Sequence, residues 1–183
     1  MIEQKMKIEY MKTPLHKYTF SRKPIRDWVE KNSKGKVLNL FAGKTKLNLD
    51  EYRVDADKTM NADLYIDAFN FVKGCKAKFD TIILDPPYAY RKSIEMYNGY
   101  KASKFNMIKD LIRNILNPNG IVITFGYHSI SMGKSRGFEQ IKILLLSHGG
   151  AIHDTIAVIE TLKRNIKEKE KEKKRKIGNG NLK

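Results

Sequence analysis

Asp85-Pro86-Pro87-Tyr88 follows directly on the apolar run Thr81-Ile82-Ile83-Leu84, and its residue types suit the handling of an amine. An amino group on an aromatic ring offers two donor hydrogens and a lone pair delocalised into that ring, so it is a poor nucleophile until something orients it. The Asp85 carboxylate and the Pro86 backbone carbonyl supply two acceptors for those hydrogens. The two prolines stiffen the turn, and the Tyr88 ring offers a face on which an unstacked base can lie. As the nitrogen gains a bond it becomes cationic, and the same carboxylate and carbonyl stabilise the developing charge. Asp85 serves either as proton acceptor or as an orienting group alone.

The elements that must hold this turn are legible around it. Val37 to Phe41 is a nearly continuous apolar run and Phe79 to Leu84 another strand candidate, both of the kind found in central strands of a parallel sheet. Tyr52-Arg53-Val54 and Leu64-Tyr65-Ile66 are shorter strand candidates, each followed by an aspartate, with unusually brief crossovers. Pro24 opens a helix whose Ile25, Trp28 and Val29 share one face, ending near 32–35. Phe105, Ile108, Leu111, Ile112, Ile115 and Leu116 keep helical spacing until Asn117-Pro118-Asn119-Gly120 stops them. A strand over Ile121 to Phe125 follows. Two last strands, about 138–146 and 152–161, flank Ser147-His148-Gly149-Gly150 and predict an antiparallel hairpin. Strands alternating with connectors predict an open, mostly parallel α/β sheet, whose ligands sit at the carboxyl ends of the strands.

In that setting Asp85-Pro86-Pro87-Tyr88 resembles the D-P-P-Y signature of the amino-methyltransferases. These class I enzymes act on adenine N6, cytosine N4 and, in related ribosomal RNA enzymes, guanine N2. Leu40-Phe41-Ala42-Gly43-Lys44-Thr45 resembles their F-x-G-x-G cofactor loop, with Thr45 where the second glycine is usual and Asn39 where an acidic residue often precedes. The resemblance spans roughly residues 17–162 and implies a Rossmann-like class I methyltransferase sheet with S-adenosyl-L-methionine as cofactor. Asp85, Pro86, Pro87 and Tyr88 are then the catalytic turn, and Phe41, Ala42, Gly43 and Lys44 the cofactor loop. Asp55 would meet the cofactor ribose, with Asp57 its near rival. Asp67 and Ala68 would lie near the adenine amine, with Phe69 or Phe71 against the ring. Thr19 and Phe20, in Lys17-Tyr18-Thr19-Phe20-Ser21, resemble the segment over the methionine end, although an aromatic staple under the following helix explains them equally well.

The chain's formal charge of +16 favours a polyanionic partner. Residues 163–183 hold +7 of it and lack a core pattern, so a methyltransferase domain over 1–162 and a basic, disordered tail over 163–183 are expected. The body retains +9, more imbalance than solubility requires. Between Ala89 and Lys104, Tyr90, Arg91, Lys92, Tyr97 and Tyr100 mix bases with aromatics, suited to phosphates and splayed bases or, as plainly, to a solvated connector. That segment of about 16 residues is short for reading duplex sequence, which favours RNA, ribosomal in particular, over DNA as substrate.

The rival readings are a DNA amino-methyltransferase lacking its own recognition domain, a protein-glutamine methyltransferase and a non-catalytic RNA-binding protein. Glutamine enzymes favour Asn at the first motif position, against Asp85. Thr45 and the brief crossovers leave room for loss of activity. The single cysteine, Cys75, excludes a disulfide framework and a cysteine zinc site. His128 and His148 have no partner at metal spacing, and Gly43-Lys44-Thr45 lacks the earlier glycine of a P-loop. No apolar run approaches the roughly 18 residues of a membrane span and the first residues lack a signal core, so a cytoplasmic protein is expected.

Overall fold

Pro24 sits in the first turn of its helix, where a missing N–H costs nothing. Ile25, Trp28 and Val29 are buried, each such side chain contributing about 1.5–3 kcal/mol against exposure. Arg26 donates back to the carbonyls of Phe20 and Ser21 at 2.8 and 3.1 Å, holding the preceding 3-10 turn Thr19–Ser21 against the helix.

The computed structural model describes residues 6–86, 101–150 and 153–163. In chain order the elements are β1 (Lys7–Lys12), α1 (Lys23–Asn32), β2 (Val37–Asn39), β3 (Glu51–Asp55), β4 (Leu64–Tyr65) and α2 (Ala68–Gly74), then β5 (Phe79–Leu84), α3 (Lys101–Ile115), β6 (Leu116–Gly126), β7 (Phe138–Ser147) and β8 (Thr155–Leu162). The described strands form one mixed sheet in the order β1-β7-β8-β6-β5-β2-β3-β4. From β4 through β6 all neighbours are parallel; β8 runs antiparallel to both β6 and β7. The mostly parallel sheet closed by a C-terminal antiparallel hairpin is the expected architecture. The connections 40–50 and 56–63 contain no helix, as their brevity implied.

Each face of the sheet carries its own core. Leu38, Ile82, Leu84 and Val122 pack under α2 and α3 with Ile108, Ile112 and Ile115. Val37, Ile83, Ile123 and Phe125 pack under α1 with Phe20 and Trp28.

Three departures from expectation have local causes. β2 ends at Asn39 rather than Phe41, because Leu40 and Phe41 already turn toward Gly43. Residues 117–120 bulge within β6: Phe79 pairs with Leu116 and Thr81 with Ile121, so four residues of β6 face Asp80 alone. β1 has no counterpart among the expected strands. It adds a parallel edge strand to β7, with its apolar Ile8 and Tyr10 outward, while Glu9 accepts from Trp28 Nε1 at 2.6 Å and pairs with Lys142 at 3.0 Å.

Candidate active site

β2 and β5 are hydrogen-bonded neighbours whose carboxyl ends reach the same edge of the sheet. Leu40 N–H donates to the Ile83 carbonyl at 3.1 Å, so two residues further along each chain stand Ala42 and Asp85. Adjacent strands lie about 4.8 Å apart. The glycine loop and the start of the Asp85-Pro86 turn thus leave the sheet side by side. Asp85 and Pro86 are half-buried. Pro87, Tyr88, Tyr90, Arg91, Lys92, Tyr97 and Tyr100 lie outside the described residues.

On the other side of β2, the end of β3 holds the same loop. Ala42 N–H donates to Val54 O at 3.1 Å, and Gly43 N–H to the Asp55 carboxylate at 2.9 Å. The second Asp55 oxygen accepts from Asp57 N at 2.9 Å. Each oxygen retains lone-pair capacity. Asp57 turns into its own loop, where the Thr59 backbone N–H first, then the Thr59 hydroxyl, with Lys44 and Lys17 nearby, hold its carboxyl below the usual carboxylate range. Gly43 has φ +61°, the left-handed region, and a Cβ built there meets no atom within 4 Å. The space above the loop is open.

Beneath the loop lies a buried network that sequence reasoning missed. Arg53 places all five of its N–H donors: on Ala42 O, Gly43 O, Thr45 O, Asn61 O and the Glu51 carboxylate, at 2.6–3.1 Å. Glu51 also accepts from Leu47 N at 2.7 Å and Asn39 Nδ2 at 3.0 Å. Asn39 stands where the resembling family often has an acid; the carboxylate comes instead from the next strand. Asn39 Oδ1 is buried and has no hydrogen-bond partner among the described residues. The available signal was Glu51-x-Arg53 itself, two opposite charges on one face of a strand whose neighbours are apolar.

The N-terminal segment meets this loop through Tyr18, whose ring lies 5.5 Å from Lys44 Nζ and 5.4 Å from Lys17 Nζ. Thr19 is half-buried beside it. Phe20 is core, its ring edge-on to Phe125 at 5.5 Å, the geometry of the staple reading. Asp67 caps α2, accepting from Phe69 N and Asn70 N at 3.1 and 3.2 Å, and Ala68 is buried behind it. Phe71 stacks on Tyr52, leaving Phe69 as the less engaged ring. Phe41 packs edge-on against Phe105 of α3 at 6.2 Å. His148 is a tie: Nδ1–H donates to the Thr13 carbonyl and Nε2 accepts from the Thr155 hydroxyl, each at 2.9 Å.

No family profile and no curated protein matches the chain. Solved structures match its fold. SMU.776, named as a methyltransferase and complexed with SAH, aligns at TM-score 0.53 and 15% identity over 76% of this chain and 48% of its own. This chain thus spans about half the length of SMU.776. The yhhF methyltransferase of Escherichia coli aligns at TM-score 0.51 and 13% identity, over 83% of this chain and 90% of its own. NodS, an N-methyltransferase of Bradyrhizobium japonicum, aligns at TM-score 0.53 and 10% identity, over 74% and 90%. The strand order and these likenesses define a Rossmann-like, class I methyltransferase fold.

Proposed function

We propose that this chain is an S-adenosylmethionine-dependent N-methyltransferase acting on an exocyclic amino group of a nucleic-acid base, adenine N6 or cytosine N4, in RNA rather than DNA. The observation that carries this reading is the adjacency of the Gly43 loop and the Asp85-Pro86 turn at the ends of two neighbouring strands. A methyl donor and an amine held there would be within reach of one another.

The residues fit the cofactor. Gly43 leaves open space where any other side chain would stand, and a buried acceptor, Asn39 Oδ1, awaits a donor under the loop. Asp55, at the carboxyl end of β3 and bound to the Gly43 N–H, is assigned to the ribose hydroxyls in preference to Asp57, which stands two residues further into the loop. When bound, S-adenosylmethionine supplies a sulfonium-activated methyl group. Phe41, Ala42, Gly43 and Lys44 line its loop, with Thr19 at the rim. The Asp85 carboxylate and Pro86 carbonyl accept the two amine hydrogens, turn the lone pair toward the donor and stabilise the cation formed. Pro87 stiffens the turn and Tyr88 supports the base.

RNA is favoured because the Ala89–Lys104 stretch that follows the turn is short for reading a duplex, which suits a base already splayed from a structured RNA. Incubating RNA and duplex DNA separately with protein and isotope-labelled donor, then analysing nucleosides by mass spectrometry, tests polymer, base and atom together. Labelled N6-methyladenosine or N4-methylcytidine from RNA is expected. Label on carbon or oxygen, or on protein glutamine alone, refutes the reading.

A further inference from the structure

α3 carries a row of residues at i, i+4 spacing, Phe105, Lys109 and Arg113, along one face. The row begins at the glycine loop, where Phe105 meets Phe41. Lys109 Nζ then lies 5.0 Å from the Phe105 ring centroid and donates to Ser131 O at 3.2 Å. Arg113 comes next, close enough to Gly137 that a Cβ there would stand 3.6 Å from its guanidinium. Facing this row is the 3-10 turn Lys134–Arg136. Between them lies a cleft of about 380 Å³ lined by Lys109, Arg113, Lys134 and Arg136, with Asp110 as its one carboxylate.

The charges in this cleft are not balanced internally. Asp110 is taken by Arg136 Nε at 2.6 Å, and Arg136 also donates to Met132 O at 3.1 Å. Arg113 and Lys134 make no hydrogen bond or ion pair among the described residues. Burial first, then repulsion from Arg136, pushes the Lys109 ammonium pKa down. Among the described residues, four cations line the cleft against Asp110, with Glu160 behind the turn, so the cleft carries net positive charge. Glu160 lies nearby but is spent on the turn's backbone, accepting from Met132 N at 2.7 Å and Gly133 N at 3.0 Å. The basic tail starts at the same place: Lys163 N–H donates to Gly137 O at 2.8 Å, and the sequence from there on holds +7.

We propose that this cleft binds backbone phosphates of the nucleic-acid substrate, with Arg113 and Lys134 as the principal contacts and the α3 row connecting it to the glycine loop. The assignment rests on the nucleic-acid reading above and adds the surface that carries affinity. Phosphodiesters are the fitting ligand because a polyanion neutralises the cations of the cleft together and releases their counter-ions. From Phe105 to Arg113 the row covers about 12 Å at the helical rise of 1.5 Å per residue.

The test is fluorescence anisotropy of the full chain with a labelled structured RNA hairpin and, in parallel, a DNA duplex, each across a salt series. Arg113→Ala/Lys134→Ala is compared with Lys73→Ala/Lys76→Ala, which removes the same charge from exposed positions around the end of α2. The cleft variant is expected to weaken binding at least about tenfold. Its log–log salt slope should fall by about 1.4–1.8, because each of the two phosphates left unneutralised lowers that slope by about 0.7–0.9. The control should change neither by a comparable amount, and both should bind S-adenosylhomocysteine as wild type does, which verifies folding. Equal effects of the two variants overturn the cleft assignment and leave the nucleic-acid reading standing. Failure of the wild type to bind either polymer overturns both.

Discussion

Glu51 and Arg53 face each other at 2.6 Å beneath the glycine loop, their side chains 0% and 2% exposed. A buried ion pair adds little when compared with a well-packed apolar pair, yet losing one partner strands the other, at about 3–5 kcal/mol. This pair also fixes the carbonyls of residues 42, 43 and 45, so its consequences extend to the site.

Arg53→Met should therefore destabilise by about 3–5 kcal/mol, read by urea unfolding. Arg53→Lys, which keeps the charge and offers three donors in place of five, should recover part of that stability. Its S-adenosylmethionine affinity should remain well below wild type under conditions where it is folded. Wild-type affinity in a folded Arg53→Lys protein would show that the network supports the core alone.

Gly43 and Gly150 share a positive φ, +61° and +72°, and open space at the position of a Cβ. Alanine at either should cost about 1–2 kcal/mol of stability from backbone strain alone. Only Gly43→Ala should also lower donor affinity, by about tenfold or more, in a calorimetric titration. Equal affinities for the two variants would remove Gly43 from the donor site.

The Lys36 backbone N–H first, then the Asn117 side-chain amide, holds the Asp80 carboxyl below its usual range. A carboxyl depressed in the folded state contributes stability above its unfolded pKa, near 3.9, and loses it as pH falls through the folded value. The stability gap between wild type and Asp80→Asn should thus be present at neutral pH and close below about pH 4. Urea unfolding across that range checks it; a gap independent of pH would contradict the assignment.

Glu160, 0% exposed, holds the turn that faces α3 through the N–H groups of Met132 and Gly133. Glu160→Leu should cost about 1–3 kcal/mol for each of those stranded donors. Amide exchange should quicken at 131–137 and not in β2 or β5. Uniform acceleration would indicate global loosening instead.

How much of this could be read from residues alone follows from how each element is built. The central strands and α1 were legible because their apolar runs and Pro24 speak locally. β1 was not, since Ile8 and Tyr10 face outward and its inward Glu9 is satisfied by Trp28 and Lys142, both distant in sequence. The Asp85 turn and Gly43 loop were recognisable as motifs, and the parallel pairing of β2 with β5 joins them. The Arg53 network was hidden because its partners are mostly backbone carbonyls, which no sequence pattern marks. The cleft beside α3 needed the turn at 134–136 to fold back onto the helix, an arrangement held through Glu160 from the far side of the chain.

In the proposed reaction Asp85 orients an amine beside a donor held at Gly43. Single-turnover transfer of labelled methyl to RNA by Asp85→Ala, alongside calorimetry of donor binding, tests it most directly. Transfer should be slowed by a factor on the order of a hundred to a thousand with donor affinity near wild type. Undiminished transfer by a variant that still binds the donor would contradict it.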